Sequence, residues 1–207
     1  RIVDYKTGTK VFSEKEVDYG FNLQMLLYLY CLVESEDHPF GENVVPAGVL
    51  YMPARDIILQ ADRALPPDKI EDMLRRELRR TGMLLGEPEV LTAMEHSALE
   101  SPCYLPVGVT KDGAMQGLAS SVLVSTAQMG KMARYIDSLL HRVAREIGEG
   151  NIDADPCTRG PQDSACAWCA FQSACWFDES RDKPHYLRKT TPEEFWQVVD
   201  EEVKQHG

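Results

Sequence analysis

The segment from residue 20 to residue 33 is apolar on nearly every side, with Gln24 as its polar exception, and it predicts a helix from Gly20 to about Glu34. A helix with this pattern has to be buried, so we expect it to pack against a sheet. Apolar segments suited to strands lie before it, at the start of the chain, and after it, at residues 44–52. Strand, buried helix and strand in this order predict an α/β fold. Since a buried amide needs partners, Gln24 is expected to bond the backbone or to point at a polar site, with Tyr28 one turn later on the same face.

Asp4 and Lys6 lie two residues apart at the end of the strand that residues 1–6 are predicted to form. Residues i and i+2 of a strand point to the same face, so the carboxylate and the ammonium group are expected side by side. Such a pair suits phosphodiester hydrolysis. The carboxylate binds Mg²⁺ or Mn²⁺, and the lysine orients or helps to deprotonate a water molecule, or stabilises negative charge on phosphorus. Taken alone, this spacing more often marks a solvated ion pair, because short motifs match by chance.

Three cysteines near the C-terminus, Cys166, Cys169 and Cys175, have the spacing C-x2-C-x5-C. Three close thiolates suit an iron–sulfur cluster or a zinc ion, with one further ligand from elsewhere. Inert buried cysteines or a disulfide loop are the alternatives, and C-x-x-C in a chain without a secretory signal favours metal or redox chemistry over both. Cys157 is one candidate for the fourth ligand. The remaining cysteines are expected to be packing residues: Cys31 and Cys103.

Further elements are predicted from hydrophobic periodicity and turn residues. Helices are expected over residues 65–80, over residues 125–148 and from residue 192 onward. A short strand is expected over residues 89–94, and a hairpin around Asp112-Gly113. Residues 44–52 are bounded by prolines, which predicts a short or an edge strand. The helix over residues 65–80 is expected to turn four apolar side chains inward: Ile70, Met73, Leu74 and Leu78.

The outer face of the same helix carries four arginines: Arg75, Arg76, Arg79 and Arg80. One interpretation is a patch that contacts nucleic acid phosphates. The other, which we favour, is a solvated face whose arginines pair with Glu71, Asp72 and Glu77.

Charge and length limit the kinds of surface that the chain can present. Its net charge of −11 over 207 residues argues against a surface that grips nucleic acid everywhere, and it leaves room for a local basic site. No apolar run is long enough to span a membrane and no secretory signal begins the chain, so we expect a cytoplasmic protein that does not engage a membrane. The chain opens inside an apolar strand without an initiator methionine, which predicts a fragment of a longer protein. It contains no phosphate-binding motif for ATP.

The combination Asp4-x-Lys6, Gly20 and Gln24-x-x-x-Tyr28 resembles the PD-(D/E)XK nucleases of the RecB type. With the C-x2-C-x5-C cysteines added, the chain is similar to the AddB (or RexB) subunits of bacterial helicase–nucleases. The resemblance extends from Arg1 to about residue 178, and the combination is far more specific than D-x-K alone.

The resemblance implies a partial restriction-endonuclease-like α/β core with added helices and a cysteine-rich C-terminal loop. We expect a nuclease core at residues 1–150, a cysteine loop at 151–180 and a C-terminal helix at 181–207. By the family pattern, Asp4 and the backbone carbonyl of Tyr5 bind Mg²⁺ or Mn²⁺ and Lys6 is catalytic. In the same pattern, the Gln and Tyr positions lie beside the site and the DNA.

The cysteines of such proteins hold a structural 4Fe-4S cluster. By that pattern Cys166, Cys169 and Cys175 are three of its ligands, and the fourth cysteine lies well upstream. Cys157 has no matching position in the pattern.

The function that the resemblance implies is exonuclease action on double-stranded DNA ends in recombinational repair, together with an AddA-type helicase–nuclease subunit. The family's second acidic ligand, and often a histidine, precede the D-x-K strand. The pattern therefore places them ahead of Arg1, and the chain by itself is expected to be inactive or very weak.

Two alternatives remain open. One is a catalytically dead, cluster-bearing module that binds DNA or acts as a scaffold. The other is a zinc-ribbon interaction module in which Asp4 and Lys6 form only a surface pair. Metal content and metal-dependent cleavage separate the three.

Overall fold

The computed structural model describes residues 1–8, 11–61, 63–160, 164–178, 181–188 and 190–206, apart from the side chains of residues 15, 18 and 206. Its strands, in chain order, are β1 (Ile2–Lys6), β2 (Gly48–Pro53), β3 (Thr81–Leu85), β4 (Val107–Val109), β5 (Met115–Gly117), β6 (Leu123–Val124), β7 (Cys157–Thr158) and β8 (His185–Tyr186). Its α-helices are α1 (Leu23–Val33), α2 (Pro67–Glu77), α3 (Pro88–Met94), α4 (Thr126–Gly148), α5 (Gln172–Cys175) and α6 (Pro192–His206). Short 3₁₀ turns span Glu14–Tyr19 and Ala165–Trp168.

The main sheet has four strands in the order β1-β2-β3-β6. β1 and β2 run parallel, and α1 forms the crossover between them. β2 and β3 are antiparallel, and β3 and β6 are parallel. β2 has six residues, an ordinary strand length, and lies inside the sheet, so the prediction of a short or an edge strand is wrong. Pro53 is its last residue, where a missing N–H does little harm to the ladder.

Side chains of the central strands alternate between two apolar layers. Val49 and Met83 face the larger layer, which contains buried residues of α1, α4 and α6. Leu50 and Leu84 face the smaller layer, which contains buried residues of α3 and β4. On β1, Ile2 packs against the larger layer and Val3 against the smaller one. The alternation therefore places Asp4 and Lys6 on the face that the large helices cover.

The predicted α/β architecture is confirmed, and three local predictions change. Residues 88–94 form α3 rather than a strand, because Pro88 takes the first helical position and Leu91 packs into the smaller layer. Residues 81–85, to which the sequence pattern assigned no element, form β3. The predicted inward face of the helix over 65–80 is covered only in part: α2 ends at Glu77 and has no buried residue, Ile70 is 39% exposed, and Met73, Leu74 and Leu78 are half-buried.

Two helices, α4 and α6, begin where the sequence predicts, whereas α1 begins at Leu23 rather than at Gly20. Ser125 and Gln128 form a capping box at the start of α4. Thr191 and Glu194 form the corresponding pair of hydrogen bonds at the start of α6. β4 and β5 form the predicted hairpin. In the part of the chain that is described, no helix combines the length and the apolar character needed to cross a bilayer.

A carboxylate at the end of α3 anchors the loop that precedes β4. Glu95 accepts hydrogen bonds from the backbone N–H groups of residues 103–105, at 2.8 Å for Leu105. Burial by itself raises the pKa of Glu95, but these bonds, with one from Ser97, outweigh it and hold the pKa below its usual value. The anionic form of Glu95 is therefore the one that the fold stabilises.

We expect Glu95→Ala to accelerate hydrogen exchange at the amides of residues 103–105 by at least about tenfold at pH 7, because a hydrogen bond to a charged group contributes about 1.5–3 kcal/mol. Mass spectrometry of peptides from the full-length protein measures this. Since the folded-state pKa is depressed, the stabilisation is complete above the unfolded-state pKa, near 4.3, and is lost as the pH falls through the lower folded-state value. Glu100→Ala, at a neighbouring exposed carboxylate, is the control, and equal exchange in both variants would contradict the assignment.

Candidate active site

Asp4 lies in a row of three residues that crosses the sheet. The strand register pairs Asp4 with Tyr51 and Tyr51 with Thr81. The Lys6 ammonium nitrogen is 2.5 Å from Asp4 Oδ2 and 5.6 Å from the centre of the Tyr51 ring. The two charged side chains are about one third exposed, at 36% for Lys6 and 30% for Asp4. The prediction that the carboxylate and the ammonium group lie side by side is confirmed.

The immediate surroundings determine the charge of this group of residues. The hydrogen bond to Asp4 raises the pKa of Lys6, so the lysine is an ammonium ion at neutral pH. Burial raises the pKa of Tyr51, and the phenol therefore stays neutral. The aromatic ring supports the ammonium group through a cation–π contact. The result is a fixed cation beside a partly exposed carboxylate.

A cavity of about 80 Å³ opens beside this pair, at the edge of the sheet where β1 and β2 end and β3 begins. Within it, Arg55 and Glu77 form a salt bridge at 2.9 Å. Sequence reasoning missed Tyr51 and Arg55 as parts of the site. Parallel strands on either side of a crossover helix bring their carboxyl ends to one edge, and this rule could have pointed to the end of β2. The lining residues are Lys6, Gly8, Tyr51, Pro53, Arg55, Glu77, Arg79 and Thr81.

The described residues fit a divalent cation only in part. Among them, no group of three or more His, Cys, Asp or Glu side chains could hold a metal ion. Asp4 offers a single, partly exposed carboxylate next to an open cavity. Mg²⁺ is commonly held by one or two carboxylates, with water and substrate phosphate oxygens completing its shell. Asp4 therefore fits the role of one ligand, and the predicted contribution of the Tyr5 carbonyl stays a prediction.

Gln24 and Tyr28 lie on the solvent-facing side of α1. The Gln24 side-chain amide donates a hydrogen bond to the Tyr28 hydroxyl at 3.0 Å. The expectation that Gln24 is a buried amide is wrong, since α1 buries one face and exposes the strip that contains Gln24, Tyr28 and Cys31. The packing role expected for Cys31 is wrong for the same reason. None of the polar contacts of the described residues joins Gln24 or Tyr28 to Asp4 or Lys6, so their roles at the site stay predictions.

The four arginines do not share one helix face, because α2 ends before Arg79. Arg75 pairs with Glu71 in an i,i+4 salt bridge, as the solvated interpretation predicts. The other three, Arg76, Arg79 and Arg80, line a second cavity of about 320 Å³ together with apolar residues. Their proposed phosphate contacts remain a prediction.

Cys166, Cys169 and Cys175 line one cavity of about 540 Å³ on the C-terminal loop. All three thiols are free, and they do not converge into a metal-binding group in the described part of the chain. Cys157 is not among the residues that line this cavity, and it lies on β7, where burial raises the pKa of its thiol. Thiols are the donor type that an iron–sulfur cluster requires, and these three line one cavity.

Comparison with known proteins gives a family and a set of relatives. The model of the PD-(D/E)XK nuclease superfamily matches residues 1–176. Proteins named as the B-type subunit of an ATP-dependent helicase/deoxyribonuclease align with the whole chain. The Clostridium acetobutylicum protein is 29% identical, covering 100% of this chain and 18% of the relative. The corresponding values are 31%, 99% and 18% for Clostridium kluyveri, and 27%, 100% and 18% for a Thermoanaerobacter species. The chain therefore spans less than a fifth of the length of these relatives.

Proposed function

The chain belongs to the PD-(D/E)XK nuclease superfamily, and we propose that it forms the nuclease domain of the B-type subunit of an ATP-dependent helicase–nuclease. In this proposal the full-length protein hydrolyses phosphodiester bonds of DNA, and the chain by itself is inactive or very weak. The observation that carries the proposal is the Asp4–Lys6 pair, 2.5 Å apart beside an open cavity at the edge of the sheet. The alternative, a merely solvated ion pair, would give no reason for the adjacent cavity or for the match to a nuclease family.

Each residue of the pair has a chemical role in this reaction. Asp4 would hold Mg²⁺ or Mn²⁺, with the Tyr5 carbonyl as a further oxygen ligand. When bound, such an ion activates a water molecule and offsets charge on the phosphate oxygens. Lys6 stabilises negative charge that develops on the phosphate, because its ammonium group is held at the cavity by Asp4 and Tyr51.

The exposed Gln24–Tyr28 pair is proposed to contact the DNA. Both side chains are open to solvent on α1, and their mutual hydrogen bond fixes their orientation. An amide and a phenol that face solvent together are suited to sugar, phosphate or base edges.

The names of the relatives support the wider role. We propose that the full protein acts with an AddA-type helicase–nuclease on double-stranded DNA ends, in the cytoplasm, during recombinational repair. We retain the division into a core at 1–150, a cysteine loop at 151–180 and a C-terminal helix at 181–207. Within that division, Phe195 and Val199 of α6 pack into the larger apolar layer.

The C-terminal loop is proposed to bind a 4Fe-4S cluster that has a structural role. Cys166, Cys169 and Cys175 would be three of its ligands, which is supported by the cavity that they share. A cluster would also give a reason for the loop's aromatic residues to stay uncovered, since the loop's order would then depend on the ligands rather than on an apolar core. The exposed fractions are 94% for Trp168, 74% for Phe171 and 78% for Trp176.

A cleavage assay tests the proposed function. The full-length protein, purified with a partner subunit whose own nuclease activity has been removed by mutation, is expected to degrade linear duplex DNA when Mg²⁺ is supplied. Chelation should stop the reaction and added Mg²⁺ should restore it, because the metal supplies the activated water. DNA binding without any metal-dependent cleavage would overturn the nuclease assignment and support a non-catalytic module.

A further inference from the structure

Arg79 has a buried guanidinium nitrogen that lacks an acceptor. Its Nε is inaccessible to solvent, and among the described residues none accepts a hydrogen bond from it. Buried donors in native proteins are almost always satisfied by protein, water or a ligand, so an orphan on a charged group marks a missing partner. That partner has to be an acceptor, and an anion suits a guanidinium group best.

The position of Arg79 connects two cavities. It lines the 80 Å³ cavity beside Lys6 and Tyr51, and it also lines the 320 Å³ cavity that contains Arg76 and Arg80. It precedes Thr81 by two residues, and Thr81 begins β3 in the same row as Asp4. A nucleic acid strand that runs from the D-x-K pair into the larger cavity would therefore contact Arg79.

The charges that line this path are mostly positive. Lys6, Arg55 and Arg79 line the smaller cavity; Lys6 pairs with Asp4 and Arg55 pairs with Glu77, so Arg79 is the cation of this lining for which the described residues supply no carboxylate. Three arginines line the larger cavity, and its described lining includes no Asp or Glu. Such a local excess of positive charge, in a chain with a net charge of −11, favours an anionic ligand here.

The size of the smaller cavity limits the ligand to a small anion. Its volume of about 80 Å³ is several times the roughly 10–15 Å³ that a cavity needs to hold one water molecule. The space suits one phosphate group, and the nucleic acid strand to which that phosphate belongs would continue into the larger cavity.

We propose that Arg79 binds a backbone phosphate of the DNA strand beside the D-x-K pair and so positions that strand for hydrolysis. This inference rests on the proposed nuclease function and adds to it a residue that lies outside the D-x-K and Gln-x-x-x-Tyr motifs. Arg79 is a positioning residue, since it holds the strand through a phosphate that is not itself cleaved. Arg75, which the sequence pattern grouped with it, has no such role because Glu71 pairs with it.

The test uses the full-length complex with the nuclease-deficient partner, and compares Arg79→Ala and Arg79→Lys with Arg75→Ala as the matched control. Fluorescence anisotropy with labelled duplex DNA in EDTA gives affinity as a function of salt, and a cleavage assay in Mg²⁺ gives kcat and KM. Arg79→Ala is expected to weaken binding about tenfold and to reduce the slope of log affinity against log salt by roughly one, since one phosphate contact is lost. Arg79→Lys should restore the slope, and Arg75→Ala should change neither quantity.

Replacing single charged phosphates of the DNA by neutral methylphosphonates locates the contact. At one position the replacement should strongly weaken DNA binding by the unsubstituted protein. The same replacement should not weaken DNA binding by Arg79→Ala any further. If the unsubstituted protein cleaves DNA and Arg79→Ala has the same DNA affinity and cleavage kinetics as Arg75→Ala, the role of Arg79 is overturned and the nuclease function is left intact. Failure of the unsubstituted protein to cleave would overturn the proposed function itself. A third outcome is that inorganic phosphate binds at Arg79 while Arg79→Ala leaves DNA binding unchanged. That result would show a site for free phosphate and would contradict the DNA contact.

Discussion

Replacing Asp4 by asparagine in the full-length protein is expected to lower the rate of Mg²⁺-dependent DNA cleavage by about a thousandfold. The amide keeps the shape of the side chain but loses the negative charge that a hard cation requires. It also releases Lys6 from the carboxylate that now holds it 2.5 Å away. Loss of one preorganised hydrogen-bond donor at a reacting centre typically costs about a hundredfold to a thousandfold, and loss of the metal is expected to cost at least as much.

Asp56→Asn is the matched control, because Asp56 is an exposed carboxylate just beyond the end of β2. It is expected to leave cleavage unchanged. Cleavage is measured with the nuclease-deficient partner present, so that the remaining activity belongs to this chain. DNA affinity in EDTA should stay within about twofold for both variants, since Asp4 is proposed to bind metal rather than DNA. Full activity in Asp4→Asn would exclude Asp4 as a ligand.

Local patterns accounted for the elements that depend on neighbours in sequence. The starts of α4 and α6 and the hairpin at Asp112-Gly113 depend on hydrogen bonds within a few residues, so their positions could be predicted. The same holds for the Asp4–Lys6 pair, because the alternation of a strand fixes it. Such features require no knowledge of what packs against them.

Features that depend on distant parts of the chain could not be predicted in the same way. The row Asp4–Tyr51–Thr81 exists only because β3 pairs antiparallel with β2, and no local pattern specifies that pairing. Residues 88–94 form a short apolar run, whose periodicity does not distinguish a strand from a helix. The arginine at position 79 was grouped with a helix that ends before it, and its place between two cavities follows from the sheet.

The exposure of Gln24 shows a different limit. An apolar helix was taken to be buried on all sides, yet α1 leaves Gln24, Tyr28 and Cys31 open. Within this strip Tyr28 is 51% exposed and accepts a hydrogen bond from Gln24. The error about burial therefore leaves both side chains accessible to the DNA that they are proposed to contact.

Cys169→Ser in the full-length protein is expected to remove nearly all iron from the anaerobically purified complex. Without the substitution, the expectation is about four iron atoms per chain and a broad absorption band near 400 nm, as rough values for a four-iron cluster. Cys169 lines the cavity that Cys166 and Cys175 also line, so its loss removes one of the three proposed ligands. Hydrogen exchange of residues 164–178 should accelerate as well, because ligand binding by such a loop is coupled to its order.

The three cysteines outside the cavity separate a specific ligand set from a general sensitivity to thiol loss. Cys31→Ser and Cys103→Ser are expected to keep their iron, since neither thiol lies with the three ligands. Cys157→Ser is also expected to keep its iron, because Cys157 lies on β7 and does not line the cavity that the three thiols share. Loss of iron in Cys157→Ser would identify it as the fourth ligand and would require the loop to close toward β7. Zinc in place of iron in the unsubstituted protein would contradict the iron–sulfur assignment and favour a zinc ribbon.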